Sequence, residues 1–173
     1  MQEYITRAVV LDKAMRGGEA DARYSFFTER YGKIAARAKS SRKIASKLAG
    51  HLEPGTLSAV RVIEQHGTQV VDALKIGRVG ISLSDLSSLN NLLGEWEPDR
   101  ELWGLLARIA DENPAGFWSA TLAVLGWDPR GAMCANCGRG AARHFFIPRQ
   151  EFFCASCAAR YSKNASHHLI LIS

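Results

Sequence analysis

Residues 33–48, KIAARAKSSRKIASKL, admit two readings, and the choice between them decides the fold. As one helix the stretch is amphipathic, with Ile34, Ile44 and Leu48 on its apolar side, and suits an acidic membrane surface. As a strand followed by a connector, Lys33, Ala35, Arg37 and Lys39 alternate with Ile34, Ala36 and Ala38, which puts cations on one face and packing residues on the other. Ser40-Ser41 interrupts the helix, and the helix lacks an exposed bulky aromatic face, so the strand reading is preferred. The stretch holds six lysines and arginines and no carboxylate. A strand with small residues between long cations can lie along a phosphate backbone, and Arg42, Lys43 and Lys47 in the connector extend the groove. Each phosphate neutralised releases counterions, so such binding depends on salt and discriminates little between bases. The bland alternative is a solvated basic face; nucleic acid is favoured over membrane on charge and alternation together.

The neighbouring sequence supports the strand. From Tyr4 to about Leu74, apolar runs rich in β-branched and aromatic residues are separated by the turn signals MRGGEAD, RYGK, EPGT and EQHGTQ. Residues 5–11, 22–30, 33–39, 57–64 and 68–74 read as five short strands of a small barrel or sandwich. SSRKIASKLAG, too long for a hairpin, reads as a short helix or loop crossing the sheet. Tyr24, Phe26, Phe27 and Tyr31 precede the basic strand; an outward-facing aromatic there would stack on unpaired bases, although core is the expected fate of most.

After Gly80 the period changes to that of a helix. Leu83, Leu86, Leu89, Leu92 and Leu93 predict one helix, Pro98 through Ile109 a second, and Asn113-Pro114 to Gly126 a third, together a small bundle. Trp96, Trp103, Trp118 and Trp127 lie in or beside it and are assigned to packing. Glu95, Glu97, Asp99 and Glu101 suit a helix N-terminus.

The chain has 173 residues, is 47% apolar and carries a net charge of +5. The charge is unevenly spread: residues 1–80 hold 14 basic and 8 acidic side chains (+6), residues 81–133 hold 3 and 8 (−5), and residues 134–173 hold 5 and 1 (+4). This basic, acidic, basic succession suggests three modules, the first with a polyanionic partner. The first ten residues resemble neither a secretory leader nor a transit peptide, and no apolar stretch approaches the roughly 18 residues needed to span a bilayer. The expectation is a soluble, cytoplasmic protein.

All four cysteines fall in MCANCGRGAARHFFIPRQEFFCASC, as Cys134-x2-Cys137 and Cys154-x2-Cys157 with sixteen residues between the pairs. This is the spacing of a four-thiolate zinc site, and FFIPRQEFF between the pairs predicts the hairpin of a zinc ribbon. Gly138 follows the second cysteine, where a tight knuckle requires positive φ. Two disulfides are disfavoured inside a cell. Four sulfurs leave no open coordination position, so the zinc is expected to be structural. His144 is read as a surface histidine. Arg139, Arg143, Arg149 and Arg160 give the ribbon a positive surface of its own. No nucleophile with a base, catalytic carboxylate pair or phosphate loop is visible, so no enzyme is expected.

The segments AVVLDKAMRGGEADARYSFFTERYGKIAARAKSSRK, KLAGHLEPGTLSAVRVIE, CANCGR and FFCASC, in this order, resemble the RecO family of bacterial recombination mediators and DNA repair proteins. The resemblance runs from about Ile5 to Cys157. It implies an α+β protein of several modules: an OB-fold barrel over residues 1–79, a helical domain over 80–130, a zinc ribbon over 131–162 and a C-terminal tail over 163–173. It further implies binding of single- and double-stranded DNA, annealing of complementary strands, and loading of RecA onto DNA coated by single-stranded DNA-binding protein. The implied partners are RecR and the acidic C-terminal tail of the coating protein. Lys33, Arg37, Lys39, Arg42 and Lys43 match the family's basic DNA surface, and Lys47 joins them from its place in SKLAGHLEP. Family members usually continue for several helices beyond the second cysteine pair, so the resemblance implies either a reduced, short-form member or a truncated chain. The competing expectation is an adaptor whose barrel and ribbon bind only proteins.

Overall fold

The computed structural model describes residues 1–15, 21–39, 47–109, 115–140, 142–160 and 168–172. The chain divides into two compact units, Met1–Glu112 and Asn113–Ser173, so the boundaries expected at residues 79/80 and 130/131 do not coincide with this division.

The first unit is built on the five expected strands, β1 (Gln2–Ala14), β2 (Ala22–Thr28), β3 (Gly32–Ala38), β4 (Thr56–Glu64) and β5 (Thr68–Arg78). Their order is β1-β2-β3-β5-β4, and β4 returns antiparallel to β1 from Gln2↔Glu64 to Val9↔Leu57, closing a barrel. The β3–β5 seam is parallel, with Arg37 opposite Gln69. Strand period 2 explains the interior: Tyr24, Phe26, Ile34, Ala36, Ala38, Val60 and Val62 point inward and are buried. Each of the larger side chains contributes about 1.5–3 kcal/mol by leaving water. The small alanines of β3 leave room for Tyr24 and Phe26, whose rings stack at 6.0 Å between centroids. Irregularities in the β4–β5 register, between Leu57/Ser58 and Arg61/Val62, coincide with two residues of β5 that have no partner in β4, Val71 and Ile76, and both are exposed.

Two helices complete this unit. Helix α1 (Leu83–Leu92) starts at Ser82, whose Oγ accepts the Asp85 N–H at 3.1 Å. It packs against β1 and buries Leu86 and Leu89. Helix α2 (Arg100–Leu106) starts at Asp99, whose carboxylate accepts the Leu102 N–H at 2.9 Å. The second expected helix is therefore shorter than its leucine pattern suggested, because Asp99 is extended as the cap.

The third expected helix belongs to the second unit. Its predicted start at Asn113-Pro114 lies outside the described residues; α3 runs Phe117–Val124 and follows Gly116 at φ 76°. The second unit also contains β6 (His144–Phe146), a 3-10 turn at Ile147–Arg149, β7 (Glu151–Phe153), the short helix α4 (Ala155–Ala158) and β8 (Leu169–Leu171). The sheet order is β7-β6-β8. The FFIPRQEFF hairpin is thus present. Residues 169–171, within the segment read as a C-terminal tail, form a third strand: they pair with β6 from Phe146↔Leu169 to His144↔Leu171 and bury Ile170. Covering the open edge of β6 satisfies its backbone and removes apolar surface from water at once.

Candidate nucleic-acid interface and metal centre

The alternation expected of β3 is observed. Ile34, Ala36 and Ala38 are buried, while Lys33 and Ala35 are half-buried and Arg37 and Lys39 exposed on the outer face. The four residues of that face nevertheless have different surroundings. Lys33 donates from Nζ to the Asn90 carbonyl at 2.8 Å. Asn90 lies in the last turn of α1, where carbonyls lack helical partners and a cation is favoured. The Lys33 carbonyl accepts the Trp96 N–H at 2.9 Å, and Lys33 forms a parallel bridge with Glu95. Burial pushes the Lys33 ammonium below the ordinary lysine range, with nearby Glu95 opposing the shift. Lys33 is thus a clamp holding the segment after α1 onto β3.

Gly32 makes the same docking possible from the backbone. It sits at φ 69°, and a Cβ there would collide with the Glu97 main chain. Trp96, expected in packing, is 41% exposed and has φ 61°, an uncommon conformation for a bulky residue. Its ring rests against Tyr4 at 5.5 Å.

Farther along β3 the surface opens. Arg37 is bound by Asp21, with Nη2 at 2.7 Å and Nε at 2.8 Å from the same carboxylate oxygen. Lys39 and Lys47 are exposed; Arg42 and Lys43 lie outside the described residues. The structure adds a cation that the sequence reading missed. Arg23 of β2 stands directly opposite Arg37 in the β2–β3 register and is exposed. Its signal was available: in ARYSFFT, Arg23 occupies the phase opposite the buried Tyr24 and Phe26. The preceding aromatics supply no open stacking surface. Tyr24, Phe26 and Phe27 are buried, and Tyr31 is half-buried edge-on to Tyr4 at 4.9 Å.

In the second unit the Sγ atoms of Cys134, Cys137, Cys154 and Cys157 all lie within 4.8 Å of one another, an arrangement able to hold a metal ion. Cys137 and Cys154 are 3.8 Å apart, and all four are free thiols rather than disulfides. Tetrahedral Zn–S bonds of about 2.3 Å place sulfurs about 3.8 Å apart, so the donor set fits zinc in chemistry and size. The first knuckle is closed by two backbone bonds, Gly138 N–H to the Cys134 carbonyl and Cys134 N–H to the Arg139 carbonyl, both at 2.8 Å, with Gly138 at φ 68° as expected. In the second, the Cys157 and Ala158 N–H groups donate to the Cys154 carbonyl at 3.1 and 2.9 Å. Backbone hydrogen bonding, chiefly at Cys154, brings the Cys134 thiol down to about 6. Cys137 has its own lowering contact at the Arg139 backbone, but bonds with the neighbouring thiols and burial push it up to about 11. Crowded thiols resist sharing more than one negative charge, and a divalent cation removes that resistance. The Asn136 side chain donates to Cys157 Sγ at 3.3 Å, which further stabilises a thiolate. His144, expected at the surface, is half-buried in β6, and burial lowers its pKa.

Among the described residues no helix is long and apolar enough to cross a membrane. The family described as Recombination protein O N terminal matches residues 1–77, which hold β1 to β4 and β5 up to its last residue. Similarity to curated proteins extends much farther. A DNA repair protein RecO of Thermodesulfovibrio yellowstonii is 29% identical over 98% of this chain and 76% of its own length. One of Myxococcus xanthus is 28% identical over 100% and 80%, and one of Rubrobacter xylanophilus 29% over 91% and 72%. The match over the barrel and the similarity reaching through the cysteine quartet make this chain similar to RecO DNA repair proteins along nearly its whole length.

Proposed function

We propose that the protein is a non-enzymatic mediator of recombinational DNA repair that binds single- and double-stranded DNA through the barrel. Its DNA surface includes Arg37, Lys39 and Lys47, and Arg42 and Lys43 are assigned to it from the sequence, while Lys33 anchors the opposite end of β3. The observation that carries this reading is the exposed cationic end of β3 in a barrel that matches the RecO family. The buried aromatics favour phosphate tracking over base stacking. Annealing follows physically: neutralising two backbones while leaving base edges free lets complementary strands approach and pair. With RecR as partner, the protein assists loading of RecA onto DNA coated by single-stranded DNA-binding protein, whose acidic C-terminal tail is a further partner. One structural zinc ion held by Cys134, Cys137, Cys154 and Cys157 ties the two knuckles of the ribbon together, and its four sulfur ligands leave it no catalytic position.

The test is fluorescence anisotropy of a labelled single-stranded oligonucleotide across a salt series, with wild type beside the Arg37→Glu/Lys39→Glu double variant. The expected result is binding with a steep salt slope, shallower by about 0.7 for each phosphate that the variant no longer neutralises. No binding even at low salt would assign the basic end of β3 to a protein partner and put the adaptor reading in its place.

A further inference from the structure

Arg23 and Arg37 are directly opposite each other on neighbouring antiparallel strands, so their side chains leave the same face of the sheet. Two like charges so placed repel, and an anion between or beside them relieves the repulsion. Asp21, two residues before Arg23, supplies one. Its Oδ2 accepts the Nε–H of Arg37 at 2.8 Å and lies 2.7 Å from Nη2 in an ion pair. Two nitrogens of the guanidinium fork thus meet one carboxylate oxygen, a contact that a phosphate oxygen can also make. The pair is unequally exposed: the Asp21 side chain is 18% exposed and that of Arg37 52%. The carboxylate reaches Arg37 from the more sheltered side while the guanidinium still meets solvent. Among the described residues Arg23 has no carboxylate partner, and Lys39, in the turn just past the end of β3, is exposed as well.

We infer that Arg23 and Arg37 form a phosphate seat whose resting occupant is the Asp21 carboxylate, displaced when a phosphodiester oxygen of DNA enters. This deepens the DNA-binding reading above and rests on it. The exchange has a definite signature. A cation already neutralised by a carboxylate releases that carboxylate when it takes a phosphate, and the freed carboxylate gathers a solvent cation. The net counterion release is then smaller than for an unpaired arginine, and Asp21 both weakens DNA binding and flattens its salt dependence. A seat that trades one anion for another also lets go of DNA readily, which suits a protein that must leave strands free to pair.

The experiment is the same anisotropy series on an oligothymidine of about 16 nucleotides, the upper site size of one such barrel, with wild type, Asp21→Asn, Arg23→Ala, Arg37→Ala and the Asp21→Asn/Arg37→Ala double variant. Asn keeps the shape of Asp21, and thermal melting verifies that every variant is folded. Asp21→Asn is expected to bind about two- to fivefold more tightly with a salt slope steeper by about 0.7. Arg23→Ala is expected to bind more weakly with a slope shallower by about the same amount. In the Arg37→Ala background the gain from Asp21→Asn should vanish. Wild-type binding that Asp21→Asn leaves unchanged, or a gain that persists undiminished without Arg37, overturns the seat while leaving the DNA reading standing. Absence of binding by every variant and by wild type at low salt overturns the DNA reading and the seat with it.

Discussion

Lys33 offers the sharpest contrast between what strand alternation implies and what the fold does with the residue. Pattern alone makes it equivalent to Arg37 and Lys39. In the structure its ammonium donates to the Asn90 carbonyl at 2.8 Å, half-buried under the segment after α1. Lys33→Met keeps the stem and removes the charge. A hydrogen bond from a charged donor contributes about 1.5–3 kcal/mol; the site is only half-buried, so the lower end applies. At about 2–4 °C per kcal/mol, the melting transition should fall by about 3–6 °C. DNA affinity should stay within about twofold of wild type, since the clamped ammonium neutralises no phosphate. The pH dependence provides an independent check. Burial depresses the folded-state pKa of Lys33, so between that depressed value and about 10.4, the ordinary lysine value, the unfolded chain binds more protons than the folded one and stability rises with pH. The stability gap between wild type and Lys33→Met should therefore widen toward the alkaline end of that window in urea unfolding. If Lys33→Met melts like wild type but binds DNA as weakly as Arg37→Ala, the clamp assignment is refuted and the uniform cationic face restored.

Three further outcomes test other parts of the molecule. Gly32→Ala should cost at least the ~1–3 kcal/mol of a left-handed non-glycine residue, because its Cβ meets the Glu97 main chain and neither can yield cheaply; a melting temperature unchanged from wild type would contradict that close approach. Phe26→Ala should destabilise the barrel by about 3–5 kcal/mol, measured by urea unfolding, since the ring is fully buried against Tyr24. Cys154→Ser should abolish stoichiometric zinc in metal analysis of the purified protein and loosen the ribbon; one zinc per chain retained in that variant would rule out a four-sulfur site.

What could be read from the chain depended on how local the cause was. The five strands follow from period-2 patterns and turn residues within each segment, and all five are present. The cysteine cluster was legible because two short knuckles need only a hairpin between them, which FFIPRQEFF encodes. The fate of Lys33 was not legible, since it depends on α1 delivering Asn90 and on residues 95–97 returning to β3, some sixty residues away in sequence. The surface that α1 packs on was not legible for a related reason. Leucine spacing reports that a helix has an apolar stripe but not which surface receives it, and α1 packs against β1. The strand at residues 169–171 was hidden because three apolar residues in a row carry no period at all.

The two ends of β3 show how one seven-residue strand is given two jobs. Near Gly32 and Lys33 the outer face is covered: the glycine admits a backbone, the lysine ties down a helix end, and the burial that depresses the ammonium pKa keeps it away from large ligands. At Arg37 and Lys39 the side chains are exposed, and Arg37 is paired with Asp21. Ala35 separates the two regions, and each step of two residues advances about 6.6 Å along the strand. A charge only two steps from Lys33 therefore has a different dielectric surrounding and a different role. Reversing the charge at position 33 perturbs the platform, whereas reversing it at 37 perturbs the surface the platform carries. A triple reversal of Lys33, Arg37 and Lys39 would merge these effects, and only the single variants, read by melting and by salt slope side by side, can separate a damaged fold from a weakened hold on phosphate.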